Sequence, residues 1–147
     1  SQEDWKARLY KVALTQKLNN LKKLRFTHLL WDTVLFNHTK ALIGGRMRLL
    51  LVGGAPVSPE LFDTMKCLLC VPIIQGYGQT ETNAPVALTH PRDPESGHVG
   101  GPFTCCMFKT QDIPDMEYTS IDKPFPRGEL CVKGPAVFQG YFNNTEK

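Results

Sequence analysis

Two short apolar runs, each passing straight into glycine, bracket one helical stretch, and that order limits the possible folds more than any other feature. Arg48-Leu-Leu-Leu-Val52 reads as a fully buried strand and leads directly into Gly53-Gly54-Ala55-Pro56. Ser58-Pro59-Glu60 then opens a helix with a capping hydroxyl, a proline at the first helical position and an acid in the first turn. Leu61, Met65, Leu68 and Leu69 are its expected buried face. Val71-Pro72-Ile73-Ile74-Gln75 reads as a second strand, with Pro72 near its start, where a missing donor costs least. Strand, helix and strand in this order predict a parallel α/β unit with a right-handed crossover. Gly76-Tyr77-Gly78-Gln79-Thr80-Glu81 follows at the carboxyl end of the second strand, where open α/β sheets bind their ligands.

Upstream, Tyr10, Leu14, Leu18 and Leu21 recur at helical spacing and predict a helix over residues 3–24. A second helix is expected over about residues 28–42, with Leu30, Trp31, Val34, Leu35 and Leu42 on one side and Gly44-Gly45 as the stop. After about residue 86, prolines and short β-rich runs (Cys105–Thr110, Glu129–Val132) replace helices, with a long loop around residues 111–127. The expected fold class is α/β: a parallel α/β layer over residues 1–88, followed by a β-rich partial barrel over residues 89–147.

Charge is unevenly spread. Residues 1–25 carry seven Lys and Arg against two acids, while the rest of the chain carries ten against twelve. The basic stretch reads as a solvated helix face, with an anionic membrane surface as the sharper alternative. Nucleic-acid binding is not expected, because no aromatic–basic interleaving or zinc-finger spacing accompanies the bases. With 41% hydrophobic and 21% charged residues, the 147-residue chain has a globular composition. Its longest apolar run is far short of a membrane-spanning helix, and it opens on Ser1 with no signal peptide. The five cysteines, an odd count, fit a reducing compartment. Cys67 and Cys70 read as buried thiols on an apolar helix face rather than as a redox or zinc pair.

Two glycine-rich turns are the candidates for chemistry. Gly53, Gly54, Ala55 and Pro56 remove side-chain bulk where the chain leaves a buried strand, so a flat ring can approach the backbone; a plain strand-to-helix turn is the alternative. In the second turn Tyr77 offers a stacking face, Thr80 a compact hydroxyl donor and Glu81 a hard oxygen ligand suited to Mg²⁺ on phosphates. Equally open is a reading with Tyr77 as a core aromatic, Thr80 as a helix cap and Glu81 as its first-turn acid.

Gln75-Gly-Tyr-Gly-Gln-Thr-Glu81 resembles the adenine- and phosphate-binding signature of the adenylate-forming enzymes, a superfamily that includes acyl-CoA synthetases, firefly luciferase and peptide-synthetase adenylation domains. Val52-Gly-Gly-Ala-Pro56, His98-Val-Gly-Gly-Pro102 and Arg127-Gly-Glu-Leu-Cys-Val-Lys-Gly-Pro135 with Gly140-Tyr-Phe142 resemble further motifs of that superfamily, in the same order. Lys133–Tyr141 together with the signature is most similar to eukaryotic long-chain fatty acid–CoA ligases.

The resemblance implies that a fatty carboxylate attacks the α-phosphorus of ATP, and that the thiol of CoA then takes the acyl group. It implies ATP, CoA and Mg²⁺ as cofactors and a fatty acid as partner. By position, Gly53, Gly54, Ala55 and Pro56 would line adenine, and Gln75, Gly76 and Tyr77 its other edge and face, with Gly78 and Gln79 continuing the nucleotide site. Thr80 would bond the α-phosphate and Glu81 would hold Mg²⁺, these two being the catalytic pair; Gly78 and Pro85 would lie near the acyl carboxylate. Glu129 reads as structural.

The phosphate-gripping loop, the ribose-binding aspartate and the lysine-bearing C-terminal domain of the superfamily have no counterpart in residues 1–147, so an internal fragment, inactive by itself, is expected. The resemblance places the parent inside the cell, associated with the endoplasmic reticulum, the mitochondrial outer membrane or the peroxisomal membrane. The alternatives are a ligase for a medium-chain or aromatic acid and a non-catalytic α/β interaction module.

Overall fold

The computed structural model describes residues 2–143, with side chains from Trp5 onward. The expected opening at Ser1-Gln2-Glu3-Asp4 therefore has no described side chains, and the expected end at Lys147 lies outside the described residues. Two compact units form. The first joins residues 1–76 to residues 89–100, and the second joins residues 77–88 to residues 101–147.

The first unit is helical around a parallel strand pair. Helix α1 (Gln2–Leu21) stops three residues short of its expected end. Leu24, at φ 58°, closes the turn that follows. Its buried positions are Ala13, Lys17 and Leu21, one stripe at a spacing of four, while Leu14 and Leu18 are half-buried and Tyr10 is exposed.

The second expected helix is helical throughout but not uniform. Short α2 (Leu29–Trp31) and α3 (Asn37–Leu42) flank a π-helical turn over Asp32–Phe36. The wider turn rotates the inward face, so Asp32 and Phe36 are buried, whereas Leu30, Val34 and Leu42 are exposed, contrary to the spacing. Phe36 packs with Ala13 and Cys70, flanked by Trp31, Leu35 and Leu68.

Strand β1 (Leu50–Val52) is shorter than expected and only partly buried, with Leu51 51% exposed. It pairs in parallel with β2 (Ile73–Gln79) in the register Leu50↔Ile73, Leu51↔Ile74, Val52↔Gln75, and α4 (Pro59–Leu69) forms the crossover. The N-terminus of α4 is built as the sequence predicts: the Ser58 hydroxyl accepts from the Leu61 amide at 3.3 Å, with Pro59 in the first turn. Its inner face is turned by one residue, since Leu61 is exposed and Phe62, Lys66, Cys67 and Leu69 are buried. Phe62, Leu69, Val71 and Ile73 form the core between helix and strands, with Leu50, Val52 and Met65 against it.

β2 also departs from the expectation. Gly76, Tyr77, Gly78 and Gln79 extend the strand instead of forming a turn. The second unit begins within that strand. β3 (Ala84–Leu88) pairs antiparallel with the short β4 (Gly101–Pro102), and β5 (Met107–Gln111) pairs antiparallel with β6 (Glu129–Lys133) in the register Met107↔Lys133 to Gln111↔Glu129. β5 starts two residues later than the expected run, and β6 ends one residue later. The intervening loop is not featureless: Asp122 accepts from the Thr119 amide and hydroxyl (3.1 and 2.6 Å) and pairs with Arg127 at 2.8 Å.

Candidate functional site

In the first unit, parallel pairing carries the two glycine segments side by side. Val52 lies opposite Gln75, so Gly53 continues next to Gly76; a Cβ on Gly53 would sit 3.1 Å from the Gly76 carbonyl oxygen. Gly54 adopts φ 84°, a left-handed conformation that glycine takes without strain. Gly53 to Pro56 are exposed, so this backbone edge is open to a ligand.

Gln75 is buried and anchored to Thr89 in both directions, its amide donating to the Thr89 hydroxyl at 2.8 Å and its carbonyl accepting from the Thr89 amide at 2.9 Å. Its side-chain Oε1, however, has no hydrogen-bond partner. A buried acceptor without a donor is costly, so this atom calls for a donor from outside the described residues.

In the second unit, Tyr77 is half-buried at the end of β2, and Gly78 touches backbone. A Cβ on Gly78 would lie 2.3 Å from the Ala84 carbonyl oxygen and 2.6 Å from the Pro85 Cα, closer than real atoms approach. The strand's end and β3 are thus pressed together, which brings the sequence-predicted pair Gly78 and Pro85 into contact.

Between them the chain turns through a 3₁₀ helix, Thr80–Thr82. Thr82, fully buried, organises it: its hydroxyl accepts from the Gln79 amide at 3.1 Å and faces the carbonyls of Gln79 and Ala84 at 2.9 and 3.0 Å. Asn83 closes the turn at φ 58°, a conformation asparagine tolerates. Gln79 is the capping residue, so the alternative reading of Thr80 as the cap does not hold, and the exposed Thr80 hydroxyl is left uncommitted to the cap.

Glu81 is half-exposed on this turn, and one of its carboxylate oxygens accepts from the Tyr141 hydroxyl. That hydrogen bond, followed by one from the glutamate's own amide, holds the Glu81 carboxyl below the usual carboxylate range, and the same contact raises the Tyr141 phenol. Among the described residues no three His, Cys, Asp or Glu side chains cluster as a metal site. Mg²⁺ needs no such cluster, because it commonly takes one or two carboxylates and completes its shell with water and phosphate oxygens. A single anionic, part-exposed carboxylate beside an exposed hydroxyl fits that manner of binding.

Two groups escaped the sequence reading. One is Tyr141, noted only as part of a motif. The other is Lys17, expected on a solvated basic face but only 1% exposed. Lys17 is ion-paired with Asp32, donates to the Cys70 sulfur at 3.0 Å and sits 4.7 Å above the Phe36 ring. Cys67 and Cys70 are buried, as expected, and burial pushes the Cys67 thiol up to about 11. No helix among the described residues is long and apolar enough to cross a membrane.

The sequence profile of the AMP-binding enzyme family matches residues 11–142, so the chain belongs to that family. Within it, curated proteins similar to this chain include fatty acyl-CoA synthetases. Fatty acyl-CoA synthetase A of Dictyostelium discoideum is 40% identical over 139 residues, covering 95% of this chain and 21% of that protein. The peroxisomal long chain acyl-CoA synthetase 7 of Arabidopsis thaliana is 39% identical over 97% of this chain and 20% of its own length. Human long-chain-fatty-acid–CoA ligase 1 is 42% identical over 80% of this chain and 16% of its length. The chain thus spans about a fifth of the length of the first relatives it matches.

Among solved structures, the A domain of carboxylic acid reductase from Segniliparus rugosus, in complex with AMP and a co-purified carboxylic acid, aligns with a TM-score of 0.61 at 28% identity, over 92% of this chain and 21% of that one. O-succinylbenzoate coenzyme A synthetase from Bacillus subtilis, in complex with ATP and magnesium ion, aligns at 0.54 and 27% identity, over 71% of this chain and 23% of that one.

Proposed function

We propose that the protein containing this chain is an ATP-dependent long-chain fatty acid–CoA ligase, and that the described residues carry part of its nucleotide site. The observation that carries the reading is the turn after β2, where the exposed Thr80 hydroxyl and the Glu81 carboxylate stand on adjacent residues within the segment that resembles the adenylate-forming signature. Family membership over residues 11–142 and similarity to long-chain synthetases support it, and favour a long acyl chain over a medium-chain or aromatic acid.

In this reading Gly53, Gly54, Ala55 and Pro56 present an open backbone edge to adenine, and Gln75 and Gly76 line its other side. The exocyclic amine of adenine is a donor of the kind the orphaned Gln75 Oε1 lacks. Tyr77 supplies a ring face, and Gly78 and Gln79 continue the strand toward the phosphates. Thr80 donates to the α-phosphate, where negative charge accumulates as the carboxylate attacks phosphorus and pyrophosphate departs. Glu81 holds Mg²⁺, which when bound neutralises phosphate charge. Gly78 and Pro85, kept in contact by the backbone, lie beside the acyl carboxylate. The peroxisomal long chain acyl-CoA synthetases among the relatives support an intracellular setting for the whole protein; the resemblance alone carries the further proposal that it is associated with the peroxisomal, mitochondrial outer or endoplasmic reticulum membrane.

The test uses the full-length protein, supplied with ATP, Mg²⁺, CoA and one carboxylic acid at a time. A long-chain fatty acid should drive release of pyrophosphate and AMP, and Glu81→Ala should cut the rate sharply. Release driven best by octanoate or benzoate would reassign the substrate, and no acid-dependent release would end the proposal.

A further inference from the structure

Glu81 does not stand alone on its turn. Three hydrogen bonds tie residues 81–83 to a segment more than fifty positions later. The Phe138 amide donates to the Glu81 carbonyl at 2.9 Å, the Asn83 side-chain amide donates to the Ala136 carbonyl at 3.0 Å, and the Tyr141 hydroxyl donates to the Glu81 carboxylate. Tyr141 is itself oriented, its ring meeting Phe138 edge to face at a centroid distance of 4.9 Å and an angle of 85°. The same segment is anchored at its start, because Gly134 passes so close to Cys105 that a Cβ there would sit 2.4 Å from the Cys105 carbonyl oxygen. One backbone bond and one from the Asn83 side chain therefore fix the turn, and a phenol on an oriented ring fixes the carboxylate.

We infer that Tyr141 is a positioning residue for Glu81: its hydroxyl occupies one carboxylate oxygen and sets the side chain so that the other is presented to the Mg²⁺ of the nucleotide. The inference rests on the proposed role of Glu81 and adds a second residue, from a distant motif, to the same metal site. A carboxylate on a flexible side chain loses rotamer freedom when it binds a cation, and a hydrogen bond made beforehand removes part of that cost. Partners of this type behind a metal ligand commonly change metal affinity by about 10–100-fold when removed. With water as an available substitute for an exposed phenol, the low end, roughly 10-fold, is expected here.

The experiment measures ATP binding to the full-length protein by calorimetry, without carboxylic acid, as Mg²⁺ is titrated and again in excess chelator. Tyr141→Phe keeps the ring on Phe138 and removes only the hydroxyl. It should raise the Mg²⁺ concentration for half-maximal enhancement of ATP binding by roughly 10-fold. Metal-free ATP affinity and the melting temperature should stay in place. In a Glu81→Gln background, which should itself shift the Mg²⁺ dependence, Tyr141→Phe should add nothing. A shift with Glu81→Gln but none with Tyr141→Phe overturns the inference and leaves the metal role of Glu81 standing. An unshifted Glu81→Gln overturns both. Equal weakening of ATP binding with and without Mg²⁺, or a lowered melting temperature, would make Tyr141 a scaffold residue only, and also overturns it.

Discussion

Removing the carboxylate that faces Lys17 should open the first unit more than any other single polar change there. In Asp32→Asn the ammonium remains buried beside a neutral amide whose single oxygen it must share with the His28 amide, with the Cys70 sulfur at 3.0 Å and the Phe36 ring at 4.7 Å as its other partners. Breaking one side of a buried pair typically costs 3–5 kcal/mol, and these residual partners place the expected cost at about 3 kcal/mol. Lys17→Met is milder, about 1.5 kcal/mol, because Asp32 still accepts from the His28 amide at 2.7 Å. The double variant should cost no more than Lys17→Met alone, since asparagine keeps an acceptor for His28 and no charge is left buried.

The assay is alkylation of Cys67 and Cys70 in the full-length protein, read peptide by peptide by mass spectrometry. Burial raises both thiols, Cys67 to about 11, so the closed state is nearly inert and labelling reports opening. A loss of about 3 kcal/mol corresponds to roughly 150-fold faster labelling. An acceleration below about 5-fold in Asp32→Asn, or a double variant as fast as Asp32→Asn, would refute the reasoning.

Gly78→Ala should fail to assemble the turn altogether, because its Cβ would meet backbone atoms that cannot swing aside; soluble, nucleotide-binding protein from this variant would contradict the contact. Gly54→Ala meets no atom within 4 Å and carries only the strain of its left-handed φ, about 1 kcal/mol, which a small fall in melting temperature should report. The Asp122 carboxyl is held down to about 2 by Thr119 first and Arg127 second. A depressed carboxylate stabilises above its ordinary value near 3.8 and loses that contribution as pH falls toward about 2. Cleavage within residues 119–127 by an acid-active protease should therefore rise across that interval, and Asp122→Asn should flatten the pH dependence.

What was legible in the sequence was local. Ser58-Pro59 announced the start of α4, and the glycine-bounded apolar runs announced the parallel pair, because capping and strand pairing depend on neighbours and on short repeats. Membership of the family was legible from several short motifs in a fixed order, all of them within residues 11–142, which the AMP-binding enzyme family matches. Lys17 was misread because its partners lie 15 and 53 positions away, and a lysine on a basic helix gives no sign that a carboxylate waits beneath it. Gly76 and Gly78 were misread as a turn because glycine signals both bends and close backbone approach; β3 imposes the second at Gly78. The π-helical turn after Trp31 shifted a helix face that a regular 3.6-residue count had assigned to Leu30 and Val34.

The hydrogen bond between Tyr141 and Glu81 spans 60 positions of chain. A ribosome adding about 5–20 residues per second makes the glutamate some 3–12 s before it makes the tyrosine. For that interval the nascent turn has its internal Thr82 bonds but none of those to Ala136, Phe138 and Tyr141. The order of synthesis thus leaves the Glu81 turn open on this side until the segment that carries Phe138 and Tyr141 has been made. Slowing translation between codons 81 and 141 would lengthen the time this turn spends available to chaperones, without altering one contact in the finished protein.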